Sequence, residues 1–159
     1  MQSFKPPSQL YVLNKKSYTS LRIFLGGTID MGDSDDWQSK IEQSLSMYDV
    51  NIFNPRRDDW DNSWTTSIGN HKFREQVEWE LYNQENADIL IYNILPDSKS
   101  PITLLEIGLF ARSGKSVFVC CPSGFYRKGN IDVICARYSI PLYEDFDQLI
   151  NDVKEILHN

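Results

Sequence analysis

Two carboxylates set the chemistry this chain can do. Glu106 stands in the otherwise uncharged run Pro101-Ile102-Thr103-Leu104-Leu105-Glu106-Ile107-Gly108-Leu109-Phe110-Ala111. Wound as a helix, the run puts Glu106 on a face with Ile102, Leu109 and Phe110. A carboxylate on a buried face is costly to desolvate and needs a partner or a task. Glu80 is the second acid. It borders the stripe Phe73, Val77 and Leu81 of an earlier helix, while Glu78 lies further round and Glu75 points to solvent. Lys72 or Arg74 are the competing salt-bridge partners for Glu80. Two acids over one pocket suffice for glycosidic chemistry, one attacking or stabilising an oxocarbenium-like centre and the other handling a proton. Glu106 lies about a turn and a half inside a helix capped by Ser100, whose field is expected to favour its ionised form.

The elements that position these acids alternate along the chain. Apolar β-rich runs cover residues 21–25, 50–53, 89–94, 117–121 and 140–143. Helical patterns cover 37–47, 73–86, 101–113, 131–138 and 146–157. This alternation predicts an α/β fold, a flavodoxin-like (Rossmann-like), doubly wound five-stranded parallel sheet ordered 2-1-3-4-5 with helices on both faces. Residues 1–20 read as an N-terminal arm and 21–159 as a single domain, with 55–70 a long ordered loop. Ligands of such sheets bind beyond the carboxyl ends of the strands. Four segments meet at that rim. They are Gly26-Gly27-Thr28-Ile29-Asp30, Asn54-Pro55-Arg56-Arg57-Asp58-Asp59-Trp60, Asp97-Ser98-Lys99-Ser100, and the segment from Pro122 to Asn130.

Gly26 and Gly27 let backbone N–H groups approach a ligand oxygen, and Thr28 adds a hydroxyl. Asp30 and the acids after it suit ribose hydroxyls and repel a phosphate. Arg56, Arg57 and Ser100 pull the other way, towards an anion. Trp37, Trp60 and Trp64 are candidates to stack on a base. Arg127, Lys128 and Asn130 complete the candidate contacts, either here or at a neighbouring subunit.

Bulk properties exclude several classes. The 159 residues carry a net charge of −6, from 22 Asp and Glu against 16 Lys and Arg. Polynucleotide binding by counterion release needs a basic surface, so a small-molecule ligand is expected instead. No apolar run reaches membrane-span length, and the N-terminus has no signal-peptide core, so a cytoplasmic location is expected. The three cysteines, Cys120, Cys121 and Cys135, have neither disulfide nor zinc spacing and read as reduced core thiols. His71 and His158 suggest no metal ligation, and no cofactor is called for. A Gly-x-Ser-x-Gly elbow is absent.

The segment Ile23-Phe24-Leu25-Gly26-Gly27-Thr28-Ile29, Glu80 ahead of Ala87-Asp88-Ile89, and Ser100 before Leu105-Glu106-Ile107-Gly108 together resemble the nucleoside 2-deoxyribosyltransferase superfamily. That superfamily also holds the 5′-monophosphate deoxyribonucleoside N-glycosidases. Asn54-Pro55-Arg56-Arg57-Asp58-Asp59-Trp60 and Phe73-Arg74-Glu75-Gln76-Val77 are similar to its deoxyribosyltransferase-like branch, and the similarity covers roughly residues 21–143. The resemblance implies a nucleophilic Glu106 that forms a glycosyl ester at C1′, and Glu80 as the acid beside the leaving base. Ser100 falls at the 5′ end of the sugar, where the transferases tend to carry Asp and the monophosphate hydrolases Ser. Gly27 and Thr28 match the loop beside the sugar or its phosphate. Phe24 departs from the tyrosine common on the first strand, and Tyr92 and Tyr126 are the candidate replacements. The implied activity is cleavage or transfer of an N-glycosidic bond, in a homo-oligomer, with pockets shared between subunits as an implied arrangement. The alternatives are a 5′-monophosphate N-glycosidase and a non-catalytic nucleotide-binding or sensing domain. A lysine-decarboxylase-like phosphoribohydrolase shares the Gly-Gly-Thr turn, but its Pro-Gly-Gly-x-Gly-Thr-x-x-Glu run is missing.

Overall fold

Among the described residues, six parallel strands form one sheet in the order β1-β3-β2-β4-β5-β6. The computed structural model describes residues 1–8, 20–29 and 34–158; Asp30, among the expected substrate contacts, lies outside them, as does most of the expected arm. The strands are β1 Gln2–Phe4, β2 Leu21–Gly27, β3 Val50–Phe53, β4 Ile89–Asn93, β5 Ser116–Cys120 and β6 Leu142–Tyr143. The helices are α1 Trp37–Ser44, α2 His71–Asn86, α3 Pro101–Phe110, α4 Lys128–Tyr138 and α5 Phe146–His158.

Taken without β1, the order is the expected 2-1-3-4-5. The sixth strand comes from residues 2–4, which pair with β3 at the sheet edge, Gln2 opposite Asn51 and Phe4 opposite Phe53. Phe4 also stacks on Phe53 with ring centroids 5.5 Å apart. Three residues are too few for an alternating pattern to be read, and Pro6-Pro7 ends the pairing because proline has no N–H.

Period-2 alternation divides the core into two layers. Ile23, Leu25, Ile52, Ile89 and Ile91 face α1 and α5, where they meet Ile41, Leu149 and Val153. Phe24, Phe53, Leu90, Tyr92 and Val119 face α2, α3 and α4, where they meet Trp79, Ile107, Phe110 and Ile131. Each such side chain, once buried, contributes about 1.5–3 kcal/mol. The three cysteines lie buried and unpaired, and burial pushes the Cys120 thiol up to about 12 and those of Cys121 and Cys135 up to about 11.

Two helix faces differ from expectation, and both differences bear on the site. On α2 the buried residues are Gln76, Trp79, Asn83 and Gln84, whereas Phe73, Val77 and Leu81 stay half-buried. On α3 the buried residues are Thr103, Glu106, Ile107 and Phe110. Of the neighbours expected for Glu106, only Phe110 shares its buried face, since Ile102 is 59% exposed and Leu109 equally so. A segment apolar on every side has no periodic signal with which to choose its inward face.

Candidate active site

Glu106 sits in the second turn of α3, 9% exposed, with α2 packed across it. The Gln84 Nε2 donates to Glu106 Oε1 at 2.7 Å, and Tyr92 Oη donates to Gln84 Oε1 at 2.7 Å. Tyr92, on β4, thereby fixes the amide that fixes the carboxylate. Of the two candidate replacements for the hydroxyl missing at Phe24, Tyr92 is the one that reaches Glu106, through Gln84. Tyr126 instead donates to the Lys99 carbonyl at 3.3 Å and is exposed. Phe24 packs its ring towards Trp79, centroids 6.5 Å apart.

Glu80 lies one helical turn before Gln84 and is partly exposed. Gln76 Nε2 donates to Glu80 Oε1 at 2.7 Å and also to the Pro55 carbonyl at 3.0 Å. The competing cations go elsewhere, Arg74 to Glu78 at 3.5 Å and Lys72 to Glu75 at 3.8 Å. Gln76, Glu80 and Gln84 form an i, i+4, i+8 row, so one ridge of α2 carries two amides and a carboxylate, of which Gln84 bonds Glu106 and Gln76 bonds Glu80. Gln76 and Gln84 were missed by the sequence reading, although their spacing of four on either side of Glu80 was the available signal.

The electrostatics of the two acids are joined. Burial pushes Glu80 up to about 7, against the hydrogen bond from Gln76. Burial and the nearby Glu80 charge push Glu106 up to about 8, against the bond from Gln84. The expectation that the helix field would keep Glu106 ionised is therefore reversed. The α3 terminus acts mainly within its first turn, whereas desolvation and a like charge act directly on the carboxyl. At neutral pH the pair holds a proton, a state suited to acid–base work.

A second cluster lies at the start of α3. Thr28 Oγ1 is 2.6 Å from Ser100 Oγ and 3.0 Å from Ser98 Oγ, and the two serine hydroxyls are 2.8 Å apart. The Leu95 N–H donates to Thr28 Oγ1 at 3.0 Å, holding the cluster to the end of β4. Ser100 occupies the N-cap position with φ 41° and ψ 49°, and its side chain makes no capping bond. The expected cap is thus a hydroxyl turned away from its helix onto Thr28. A non-glycine residue in the left-handed region costs of order 1–3 kcal/mol and is retained where the surroundings demand it. Ser98 was also missed, having no periodic context in its loop.

The glycines bring β2 close to β4. A Cβ at Gly26 would run into the Tyr92 ring, and one at Gly27 (φ 145°) into the Asn93 carbonyl oxygen. The Gly-Gly pair thus keeps Tyr92 and the Thr28 turn in place.

The contacts of the remaining candidates are with groups other than Glu80 and Glu106. The Arg57 side chain is wholly buried, bonded to Asp59 and to Glu75 at 3.0 Å, with its guanidinium 5.0 Å from the Trp64 ring centre. Glu75, expected to be solvated, is one of its partners. Trp60 packs on Trp64 at 5.1 Å and donates from Nε1 to Asn62 at 2.8 Å. Trp37 is a core residue whose Nε1 donates to the Thr28 carbonyl at 2.9 Å. Arg127 and Asn130 are exposed at the start of α4, with Arg127 over the Tyr126 ring at 5.3 Å.

Among the described residues no helix is long and apolar enough to cross a membrane. No curated protein sequence matches the chain. A crystal structure of a conserved protein from Enterococcus faecalis V583 superimposes with a TM-score of 0.62, at 12% identity, over 87% of this chain and 99% of that one. That likeness establishes the α/β fold. The match that reaches the site is to the family model described as nucleoside 2-deoxyribosyltransferase like, over residues 20–125, a stretch holding both glycines, the α2 row, the hydroxyl cluster and Glu106. The chain belongs to the nucleoside 2-deoxyribosyltransferase-like family.

Proposed function

We propose that the protein cleaves or transfers the N-glycosidic bond of a (deoxy)nucleoside through a glycosyl ester on Glu106. The observation that carries this reading is the Glu106–Glu80 pair, a buried carboxyl on α3 held by Gln84 and a second carboxyl one turn away on α2 whose charge acts on it. Gln84 holds Oε1 of Glu106, leaving Oε2 to attack C1′. As the C1′–N bond breaks, its electron pair goes to the base nitrogen, which takes the proton from Glu80. An acceptor base or water then attacks C1′, gives its proton to the Glu80 carboxylate, and the ester C1′–O bond breaks to free Glu106. The productive division of the pair's protons is Glu106 ionised with the proton on Glu80; burial raises both carboxyls, so neither is committed to full ionisation at neutral pH. Positive charge developing at the sugar favours that arrangement.

The hydroxyl cluster favours a 5′-monophosphate substrate as the finer reading. Thr28, Ser98 and Ser100 are neutral donors at a helix N-terminus, where a phosphate is welcome. Six residues separate Ser100 from Glu106, about 9 Å of helix, a span matched to a sugar bearing a 5′-phosphate. Arg57 lends this reading no support, since its charge is already matched by two carboxylates. The homo-oligomer belongs to the same proposal. Ile102, Leu105 and Leu109 make an exposed apolar stripe on the helix that carries Glu106, and sedimentation is expected to give more than a monomer.

Chromatography of nucleosides and their 5′-monophosphates, with and without an acceptor base, tests the reading. Free or exchanged base is expected, faster from monophosphates, and lost in Glu106→Ala. Saturable nucleoside binding with no base release, alike in both proteins, would instead mean a sensing domain.

A further inference from the structure

A second cleft, of about 400 Å³, opens on the sheet face opposite Glu106, between the starts of α1 and α5 and beyond the ends of β4 and β5. Asn93 is part of its lining. Along β4, Leu90 and Tyr92 face α2 and α3, so Ile89, Ile91 and then Asn93 face the α1–α5 layer. Asn93 is 3% exposed, and among the described residues its side-chain amide has no hydrogen-bond partner. The Asn93 amide atoms are not among the fully buried side-chain atoms that lack a partner, so they meet the solvent of the cleft, and the Glu106 site does not use them. The group offers one acceptor and one donor side by side at the inner end of an open cleft.

The rest of the lining says what would match it. Phe146 is partly exposed and meets the Trp37 ring edge-on at 5.5 Å, giving a flat apolar wall. Asp35, Asp36 and Glu144 place three carboxylates among the lining residues, and the one amine there, Lys40, is already held by Asp147 at 2.6 Å. Anions are therefore disfavoured, while N–H donors at the outer edge of a ligand are welcome. An asparagine amide pairs bidentately with an amino group beside a ring nitrogen, as on the edge of adenine.

We propose that this cleft binds an amino-substituted heterocyclic base of the adenine type, edge-on to Asn93 and flat against Phe146, as a site distinct from the carboxylate pair. The assignment stands whether or not the protein breaks N-glycosidic bonds. The test is titration of adenine and of unsubstituted purine, by calorimetry and tryptophan fluorescence, into wild type, Glu106→Gln, Asn93→Leu and Asn93→Ser. Adenine is expected to bind saturably, with purine at least tenfold weaker. Glu106→Gln leaves adenine affinity unchanged, whereas Asn93→Leu weakens it at least tenfold with the circular dichroism spectrum retained. Should Asn93→Leu not fold, Asn93→Ser and the purine comparison in wild type decide. Equal affinities for purine and adenine, no saturable binding, or loss with Glu106→Gln in place of Asn93 would each overturn the assignment. Base release is measured separately, so its failure and the failure of this cleft remain distinguishable.

Discussion

Two buried charged regions sit along α2, and their partners differ in kind. Arg57 is enclosed by Asp59, Glu75 and the Trp64 ring, so every part of its guanidinium faces opposite charge or π-electrons. Glu106 is enclosed by one neutral amide and lies near a second carboxylate. A buried charge matched by opposite charges anchors the loop that carries it, and breaking the match is expensive. A buried acid matched only by an amide takes up a proton instead and stands ready to lose it. Burial alone therefore does not separate framework from chemistry; the identity of the partners does.

The largest expected effect is on the less compensated side. Glu106→Gln should lower base release by about 10³-fold or more, as for other essential catalytic groups, while the folded protein is retained. Wild-type turnover in that variant would remove the distinction between the two regions. Next comes Arg57→Met, which leaves Asp59 and Glu75 without their cation. Both carboxylates keep contact with solvent, so what is lost is the buried cation's own bonds and its stacking on Trp64, read as a lowered urea midpoint with a much smaller change in kcat of the folded fraction. A smaller effect is expected from Tyr92→Phe. The Gln84 Oε1 loses its donor, at about 1–2 kcal/mol for a buried acceptor, so kcat should fall about tenfold with KM nearly unchanged.

Proton linkage sharpens the same contrast. Both glutamates titrate above the ordinary carboxyl value of 4.5, Glu80 at about 7 and Glu106 at about 8. Between about 4.5 and 8 the folded protein binds more protons than the unfolded chain, so these groups weaken stability as pH rises through that window. The contribution is fully present below 4.5 and is lost by about 8. Glu106→Gln should therefore raise Tm by a few degrees at pH 8 and hardly at pH 5, seen by calorimetry at the two values. Catalysis needs one proton on the pair, which places the maximum of kcat/KM between about 7 and about 8.

Much of this arrangement was legible in the sequence. The β-α alternation gave the order of the five longer strands, and Glu106 revealed itself as a charge where its neighbours are apolar. Reading failed at the two helices that build the site. Phe73, Val77 and Leu81 looked like the sheet side of α2, yet the helix turns Gln76 and Gln84 inward, Gln84 to donate to the buried Glu106 and Gln76 to donate to Glu80 and the Pro55 carbonyl. In α3 the apolar residues surround the helix, so Ile102 and Leu109 could not be told from Thr103 and Ile107. A local rule gives way where function requires a polar interior. Ser98 and the turned-away Ser100 hydroxyl depend on a left-handed backbone that side-chain pattern does not encode.

The most direct test of the central claim is intact-mass and peptide analysis after incubation with a 2-fluoro-arabinosyl nucleoside, supplied also as its 5′-monophosphate. The account predicts one added fluoro-sugar per chain, on the peptide containing Glu106, absent from Glu106→Gln and released by an acceptor base or water. Base release without any adduct, or an adduct on Glu80, would contradict it.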